Sequence, residues 1–183
     1  MEGVVATVAG YTGGTKGKPT YNFLGDHTET VLVVFDPAKI SYEILLQVFA
    51  KSHDPFTESG PKQYRNAVFS ANEEQLGRAK AFLKALGERE GKEVKTEVEL
   101  VSSFTPAEDY HQKYYLRQNT DFYRALRERY RSEADFLSST AAARLNGYLG
   151  GNGKLEFTKT VEKLGLPPRL TEELKRLASR RLK

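Results

Sequence analysis

The amino-acid sequence predicts an α/β (α+β) protein, in which helices flank a mixed sheet and a small helical extension follows at the C-terminal end. Four segments are rich in β-branched and apolar residues and stop at turn-forming residues, as strands do: 4–9, 30–35, 65–70 and 94–104. Segments with helical spacing lie between them and give the order strand, strand, helix, strand, helix, strand. After Asp121 the pattern changes to short helices. We therefore divide the chain into a core, residues 1–120, and an extension, residues 121–183.

The second strand differs from the others because nearly all of its residues are apolar. Residues 30–35 read Thr-Val-Leu-Val-Val-Phe and stop at an Asp-Pro pair. A short, continuous apolar run is typical of a strand that is buried on both faces. We expect this strand to pair with residues 4–9 in one sheet.

The helix ends are indicated by capping residues. Ser41 is placed to cap the first helix, and Asn72 with Gln75 forms the capping-box pattern of the second. We expect Gly87 to end the second helix, because glycine is the usual residue just beyond a helix C-terminus. Thr171 is predicted to cap the last helix.

Composition excludes several kinds of chemistry. The 183 residues include no cysteine, so this chain offers no disulfide, thiolate metal ligand or cysteine nucleophile. The net charge of +4 is concentrated near the C-terminus, where residues 131–183 carry +5, but no aromatic–basic stripe indicates a nucleic-acid partner. No segment is long and apolar enough to span a membrane and no secretory signal is visible, so we expect a cytoplasmic protein.

Three polar clusters lie in loops or at element ends: residues 25–29, residues 53–55 with 63–65, and residues 108–112. Glu29 comes directly before the predicted buried strand, where partial desolvation would favour the protonated carboxyl group that a general acid needs. Spacing leaves a structural alternative equally open. Glu29 could instead cap a neighbouring backbone group or pair with Arg65.

Each of the three histidines lies near an acidic residue, which raises the question of a metal site. No two histidines have the helical spacing that joint ligation favours, so hydrogen-bonded structural histidines are the preferred interpretation. A metal-dependent hydrolase using Asp26, His27 and Glu29, with His53 and His111 as further ligands, remains an alternative.

Eight short motifs in residues 3–118 resemble, in order, those of the peptide methionine-(S)-sulfoxide reductase family. The motifs are Gly10–Gly14, Pro19–Tyr21, His27–Glu29, Phe35–Pro37, Ile40–Tyr42, His53–Pro55, Gln63–Arg65 and Glu108–Gln112. The resemblance implies an α/β-plait-like core. It implies oxidised methionine in peptides or proteins as the substrate, and it implies no cofactor.

The resemblance also implies roles for particular residues. In the family a cysteine thiolate attacks the sulfoxide sulfur, methionine leaves, and the resulting sulfenic acid is reduced by a second thiol. The matching positions here are Glu29, as the acid that protonates the sulfoxide oxygen, with Tyr21 and Tyr64 as phenols that bind this oxygen. Five further positions are implied to bind substrate: Tyr11, Asp26, His27, Tyr110 and His111.

The sequence departs from the family pattern in its nucleophile. The family's Gly-Cys-Phe-Trp run, with the strand before it and the helix that it opens, has no match in these 183 residues. We therefore expect no reductase turnover from this chain and an exposed sheet edge, covered by self-association or by the extension. Two interpretations stay open: a longer protein that continues upstream through a cysteine and then uses a thioredoxin-type reductant, or a non-catalytic methionine sulfoxide-binding relative completed by a partner.

Overall fold

The computed structural model describes residues 1–182, which form five strands, eight α-helices and three short 3-10 helices. The strands are β1 (Val4–Thr12), β2 (Thr28–Phe35), β3 (Ala67–Ser70), β4 (Glu97–Leu100) and β5 (Phe104–Pro106). The helices are α1 (Tyr42–Ser52), α2 (Glu73–Glu90), α3 (Tyr114–Arg117), α4 (Thr120–Arg127), α5 (Glu133–Leu137), α6 (Thr140–Leu149), α7 (Lys154–Thr160) and α8 (Pro168–Arg181). The predicted α/β class and the predicted order of the first six elements are confirmed.

The strands form two small sheets. One has the order β2-β1-β5, with Tyr11 opposite Thr105 in the antiparallel β1–β5 pair. The other is a parallel pair of β3 and β4, with Val68 opposite Val98. The expected pairing of residues 4–9 with the second strand is confirmed. The prediction of one strand over 94–104 is wrong, because polar residues at 102 and 103 interrupt the run and its two halves join different sheets.

Two of the four predicted helix-end residues act as predicted, and the other two do not. Ser41 and Asn72 accept hydrogen bonds from the third residue beyond each of them. Helix α2 runs through Gly87 and ends at Gly91, whose left-handed backbone (φ 63°) supplies the helix stop. Helix α8 begins at Pro168, so Thr171 lies inside it and the prediction that Thr171 caps it is wrong.

Two compact units make up the chain. The first comprises Met1–Ala9, Leu32–Asp36 and the chain from Glu108 onward, and its apolar core is built by helices α3 to α8. Phe136 is fully buried in this core, with Tyr123 and Tyr130 packed edge-on against its ring. The second comprises Gly10–Val31 and Pro37–Ala107. The division of the chain at residue 120 stays a prediction about independently folding parts.

Side chains cover the backbone of β1 along residues 5–9, where β5 no longer pairs with it. The Thr140 hydroxyl donates to the Val5 carbonyl at 2.9 Å, and the Lys113 ammonium group donates to the Thr7 carbonyl. The Gln112 amide completes the row, because it donates to the Ala9 carbonyl at 2.8 Å and accepts from the Ala9 N–H at 3.0 Å. Residues 5, 7 and 9 point to one edge of the strand. The carbonyl groups along this edge are therefore hydrogen-bonded without another strand.

Strand β2 contradicts the prediction of burial on both faces. Four consecutive apolar side chains, which alternate between the two faces, are exposed by 36–60%: Val31, Leu32, Val33 and Val34. The strand lies at the end of its sheet, and among residues 1–182 it pairs with β1 alone. The apolar run correctly indicates a strand, but nothing in the described chain covers it.

None of the helices within residues 1–182 has the length and hydropathy needed to cross a bilayer.

Candidate functional site

The loop between β1 and β2 is organised by Asp26. Its carboxylate accepts hydrogen bonds from the Lys16 N–H at 2.9 Å, from the Thr15 N–H at 3.0 Å and from the Thr15 hydroxyl at 3.0 Å. The backbone donors of Lys16 and Thr15, with the Thr15 hydroxyl, hold the pKa of Asp26 well below its usual range. Asp26 is thus an ionised group that fixes the loop, and its role in binding substrate stays a prediction.

His27 is buried beside this carboxylate. Its Nε2 lies 2.9 Å from the Lys16 carbonyl oxygen, so this nitrogen carries the proton when the ring is neutral. A Cβ at position 14 would lie 2.6 Å from the His27 ring and 2.6 Å from the Asp26 carboxylate. Gly14 therefore allows the Gly-Gly turn after β1 to pack directly on these two side chains.

The start of β2 is fastened to residues 62–65 by three hydrogen bonds. The Thr28 hydroxyl donates to the Lys62 carbonyl at 3.0 Å and accepts from Arg65 Nε at 2.9 Å. Gln63 Nε2 donates to Glu29 Oε1 at 2.7 Å. Glu29 is therefore held by Gln63, and the pairing with Arg65 that the sequence left open does not occur.

Arg65 is the central cation of this region. Its guanidinium group pairs with Glu97 and Glu99 of β4 and stands over the Phe69 ring, 5.1 Å from the ring centre. Its side chain is only 6% exposed. A bidentate, largely buried arginine gives its partners a fixed geometry. Because Arg65 also holds Thr28, it fixes the backbone from which Glu29 projects.

The predicted acid and phenols are accessible from outside. Glu29 is exposed, so the partial desolvation expected from a buried β2 is absent, because the strand itself is uncovered. Tyr64 is 59% exposed and ends a short 3-10 helix, Lys62–Tyr64, directly after the residue that holds Glu29. Tyr21 is 46% exposed and lies in a tight turn closed by the Thr20–Phe23 bridge.

The other predicted substrate-binding residues are more scattered. Tyr11 is 2% exposed and faces Thr105 across the β1–β5 pair, so its placement is that of a sheet residue. Tyr110 and His111 belong to the other compact unit, where their rings pack together with centres 4.3 Å apart. The compact unit that contains Glu29 also contains Tyr11, Tyr21, Asp26, His27 and Tyr64.

The geometry does not favour the metal hypothesis. His53 places Nδ1 2.8 Å from the Phe49 carbonyl and Nε2 3.0 Å from the Thr96 hydroxyl, which occupies both ring nitrogens at the end of helix α1. The Asp26 carboxylate faces backbone N–H groups. Across residues 1–182, no three His, Asp or Glu side chains are arranged to hold an ion.

The geometry leaves part of the Glu29 carboxyl group available to a ligand. Glu29 makes one described hydrogen bond, through Oε1, which leaves Oε2 for a ligand. The sequence motif Gln63–Arg65 signalled this site, but the roles of Gln63 in orienting the acid and of Arg65 in fixing β2 were missed. Both depend on contacts more than 30 positions apart.

Comparison with known proteins gives a consistent result for fold. The crystal structure of reduced Mxr1 from Saccharomyces cerevisiae is similar, with a TM-score of 0.59 and 26% identity over 64% of this chain and 73% of that one. Methionine sulfoxide reductase A of Corynebacterium diphtheriae gives a TM-score of 0.56 with 30% identity, over 64% of this chain and 65% of that one. The fold is that of a methionine sulfoxide reductase.

Sequence comparison shows the family. The family described as peptide methionine sulfoxide reductase matches residues 1–144. A Drosophila melanogaster peptide methionine sulfoxide reductase is 38% identical over 169 residues, which cover 91% of this chain and 68% of the relative. The Methanosarcina acetivorans protein of that name is 46% identical over 130 residues, covering 64% of this chain and 69% of the relative. The chain belongs to the peptide methionine sulfoxide reductase family, which acts on oxidised methionine in peptides and proteins.

Proposed function

We propose that this chain is the oxygen-binding portion of a peptide methionine-(S)-S-oxide reductase, and that a polypeptide segment outside these 183 residues supplies the thiol. The observation that carries the proposal is the hydrogen bond from Gln63 to Glu29 at the start of an exposed apolar strand. It orients a carboxyl group beside a surface suited to a thioether. The chemistry that the family resemblance implies needs such a group at the sulfoxide oxygen.

Glu29 is the proton donor in this proposal. A thiol attacks the sulfoxide sulfur, the S–O bond breaks with the oxygen passing to the attacking sulfur, and the products are methionine and a sulfenic acid. Protonation by Glu29 and hydrogen bonds from Tyr21 and Tyr64 stabilise the charge that develops on the oxygen. A second thiol then converts the sulfenic acid to a disulfide and water.

The chain contains no cysteine, so the attacking group must come from elsewhere. Hydroxyl and carboxylate groups cannot take up the oxygen in this way. We therefore propose that the segment bearing the thiol packs on the exposed side chains of Val31 to Val34. Its arrival would also reduce the solvent exposure of Glu29.

A chimera tests this function directly. The segments of the Methanosarcina acetivorans relative that lie outside its match are joined to this chain, and methionine is measured after incubation with a methionine sulfoxide peptide and dithiothreitol. We expect turnover of the S epimer by the chimera and none above the uncatalysed rate by the 183-residue chain. Glu29→Gln should lower the turnover of the chimera by about 100-fold or more.

The control is Glu58→Gln, which removes an exposed carboxyl group from the same compact unit and should leave turnover unchanged. A folded, active chimera with equal rates for Glu29→Gln and wild type would contradict the role of Glu29. Turnover by the cysteine-free chain itself would contradict the need for an added thiol.

A non-catalytic methionine sulfoxide-binding protein is the second candidate, favoured by the absence of cysteine. It predicts saturable binding of the sulfoxide peptide to the chain without any added segment. The proposed compartment is the cytoplasm, and the proposed reductant is a thioredoxin-type protein acting on the added thiol. Fractionation and reduction assays on the chimera test these two points.

A further inference from the structure

A groove of about 470 Å³ lies between helix α2 and the segment that leads into β4, and its lining includes none of the residues proposed for catalysis. Its apolar lining is formed by Leu83, Val94 and Val98. A Cβ at position 87 would lie 2.9 Å from the Lys92 carbonyl oxygen, so Gly87 permits the close approach that shapes one end of the groove. All of these residues lie in one compact unit.

Lysines surround this apolar surface. Lys80, Lys84 and Lys92 line the groove, and Glu88 is its sole acidic residue. Glu88 Oε1 lies 3.8 Å from Lys84 Nζ, whereas Lys80 and Lys92 form no ion pair within residues 1–182. Lys92 stands over the Phe56 ring, 5.3 Å from its centre. The groove therefore combines an excess of positive charge with an aliphatic floor.

The neighbouring strand has a free side. Within the described residues, β4 pairs with β3 alone, and the N–H groups of Glu97 and Val101 donate to the segment containing β3. In a parallel pair, alternate residues direct both backbone groups to the same side. The N–H and C=O groups of Val98 and Leu100 therefore point away from β3. Val98 also contributes its side chain to the groove.

We propose that this groove binds an extended segment of a partner protein in which an aliphatic residue is flanked by aspartate or glutamate. The aliphatic side chain packs on Leu83, Val94 and Val98, and the carboxylates lie against the lysines. The backbone of the segment pairs with the free side of β4, which is a common way of recognising an extended peptide. Val98 connects the free side of β4 to the groove that the lysines line, and a free anion would use only the lysines.

The test uses the full 183-residue chain and a fluorescein-labelled acetyl-Asp-Ile-Glu-Val-Asp-amide, with binding followed by fluorescence anisotropy. We expect saturable binding that weakens as salt is added, because the ammonium–carboxylate contacts are exposed. The sequence with lysine in place of each acidic residue should not bind. The acidic peptide with N-methylated alternate amides should bind less tightly, and amide exchange at Val98 and Leu100 should slow on binding of the unmodified peptide.

Substitutions distinguish this groove from general surface charge. Lys80→Glu combined with Lys92→Glu should weaken binding by about tenfold or more. Lys51→Glu changes an exposed lysine on helix α1, outside the groove, and should leave binding within about twofold of wild type.

Several outcomes would overturn the proposal. They are equal binding of the basic peptide, equal losses for the groove and control variants, and unchanged affinity of the N-methylated peptide. Complete displacement by inorganic phosphate at similar concentration would show an anion site only. A peptide-independent dimer lost in the groove variant would show that a second copy occupies the groove.

Discussion

The backbone edge of β1 is hydrogen-bonded at Val5, Thr7 and Ala9 by side chains from distant parts of the sequence, whereas the neighbouring strand β2 keeps four consecutive apolar side chains exposed. The covered edge recruits Gln112, Lys113 and Thr140, which reach more than 100 positions back along the chain. Both strands carry similar β-branched, apolar sequences. The difference therefore lies in what the rest of the chain supplies to each strand.

The hydrogen bonds to the edge of β1 require a buried lysine and an unfavourable backbone conformation, both at Lys113. Lys113 is 5% exposed, and burial, with Arg117 nearby, lowers its pKa to about 8. Its backbone is also left-handed, with φ 51°, which is uncommon for a residue with a side chain. In this conformation Lys113 donates its hydrogen bond to the Thr7 carbonyl of β1. Within residues 1–182 no equivalent contacts to the edge of β2 are described, and this is the reason why the proposed thiol-bearing segment is assigned to β2.

The largest expected effect follows from ending the chain at Tyr130. This removes Thr140 from the β1 edge and removes Phe136, Leu145 and Leu164 from a core in which each is at most 1% exposed. The packing free energy lost with several large core side chains exceeds the usual free energy of unfolding of a domain. We expect the truncated chain to aggregate and to lose its cooperative thermal transition.

Light scattering and circular dichroism check this expectation, with the full chain as the control. A monomeric 1–130 fragment that unfolds cooperatively would show that the core closes without the later helices. It would also support the predicted division near residue 120. Strand β1 would then not need the hydrogen bond from Thr140.

The second prediction concerns Gln112, which is 2% exposed and makes both hydrogen bonds to the Ala9 peptide groups. Gln112→Ala leaves the partly buried N–H and C=O groups of Ala9 without these partners, so we expect the free energy of unfolding to fall by about 1–3 kcal/mol. Urea denaturation measures it. Gln118→Ala, an exposed glutamine on the same part of the chain, should change it by less than about 0.5 kcal/mol.

Sequence patterns anticipated the parts of the fold that depend on local residues. The strand-forming segments, the caps at Ser41 and Asn72, and the motif around Gln63 all follow from short-range patterns. The exposure of β2 did not follow, because an apolar strand predicts burial only if something covers it. Likewise, no local signal indicates that Gln112 completes the β1 edge or that Arg65 fixes the backbone next to Glu29.

A third prediction uses the titration of Lys113. Its pKa falls from 10.5 in the unfolded chain to about 8 in the folded one, so the unfolded chain binds more protons between these pH values. Stability should therefore rise as the pH increases from about 8 to about 10.5, by up to about 1 kcal/mol per pH unit from this group. Lys113→Met should remove that contribution.

The measurement is the difference between the unfolding free energies of wild type and Lys113→Met across this pH range, since other titrating groups cancel in the difference. We expect wild type to gain on the variant as the pH rises. A constant difference would mean that Lys113 is solvated and that the covered edge carries no electrostatic cost.

The smallest effect on stability is expected at β2, where Val31→Lys and Val33→Lys place charges on side chains that are 60% and 36% exposed. An uncovered strand tolerates lysine, which is also the residue that natural edge strands use to prevent pairing with other chains. The free energy of unfolding should change by less than about 0.5 kcal/mol for either variant. Association of the chain at high concentration should decrease, as sedimentation would show. In the chimera the same substitutions should abolish turnover, because the added segment would have to bury a charge.

Ala6→Lys, at a position 4% exposed on strand β1, is the control and should unfold the chain. If Val33→Lys destabilises the chain as Ala6→Lys does, β2 is covered in solution by this chain or by a second copy. The side chains of β2 would then be protected from solvent, as Ala6 of β1 is.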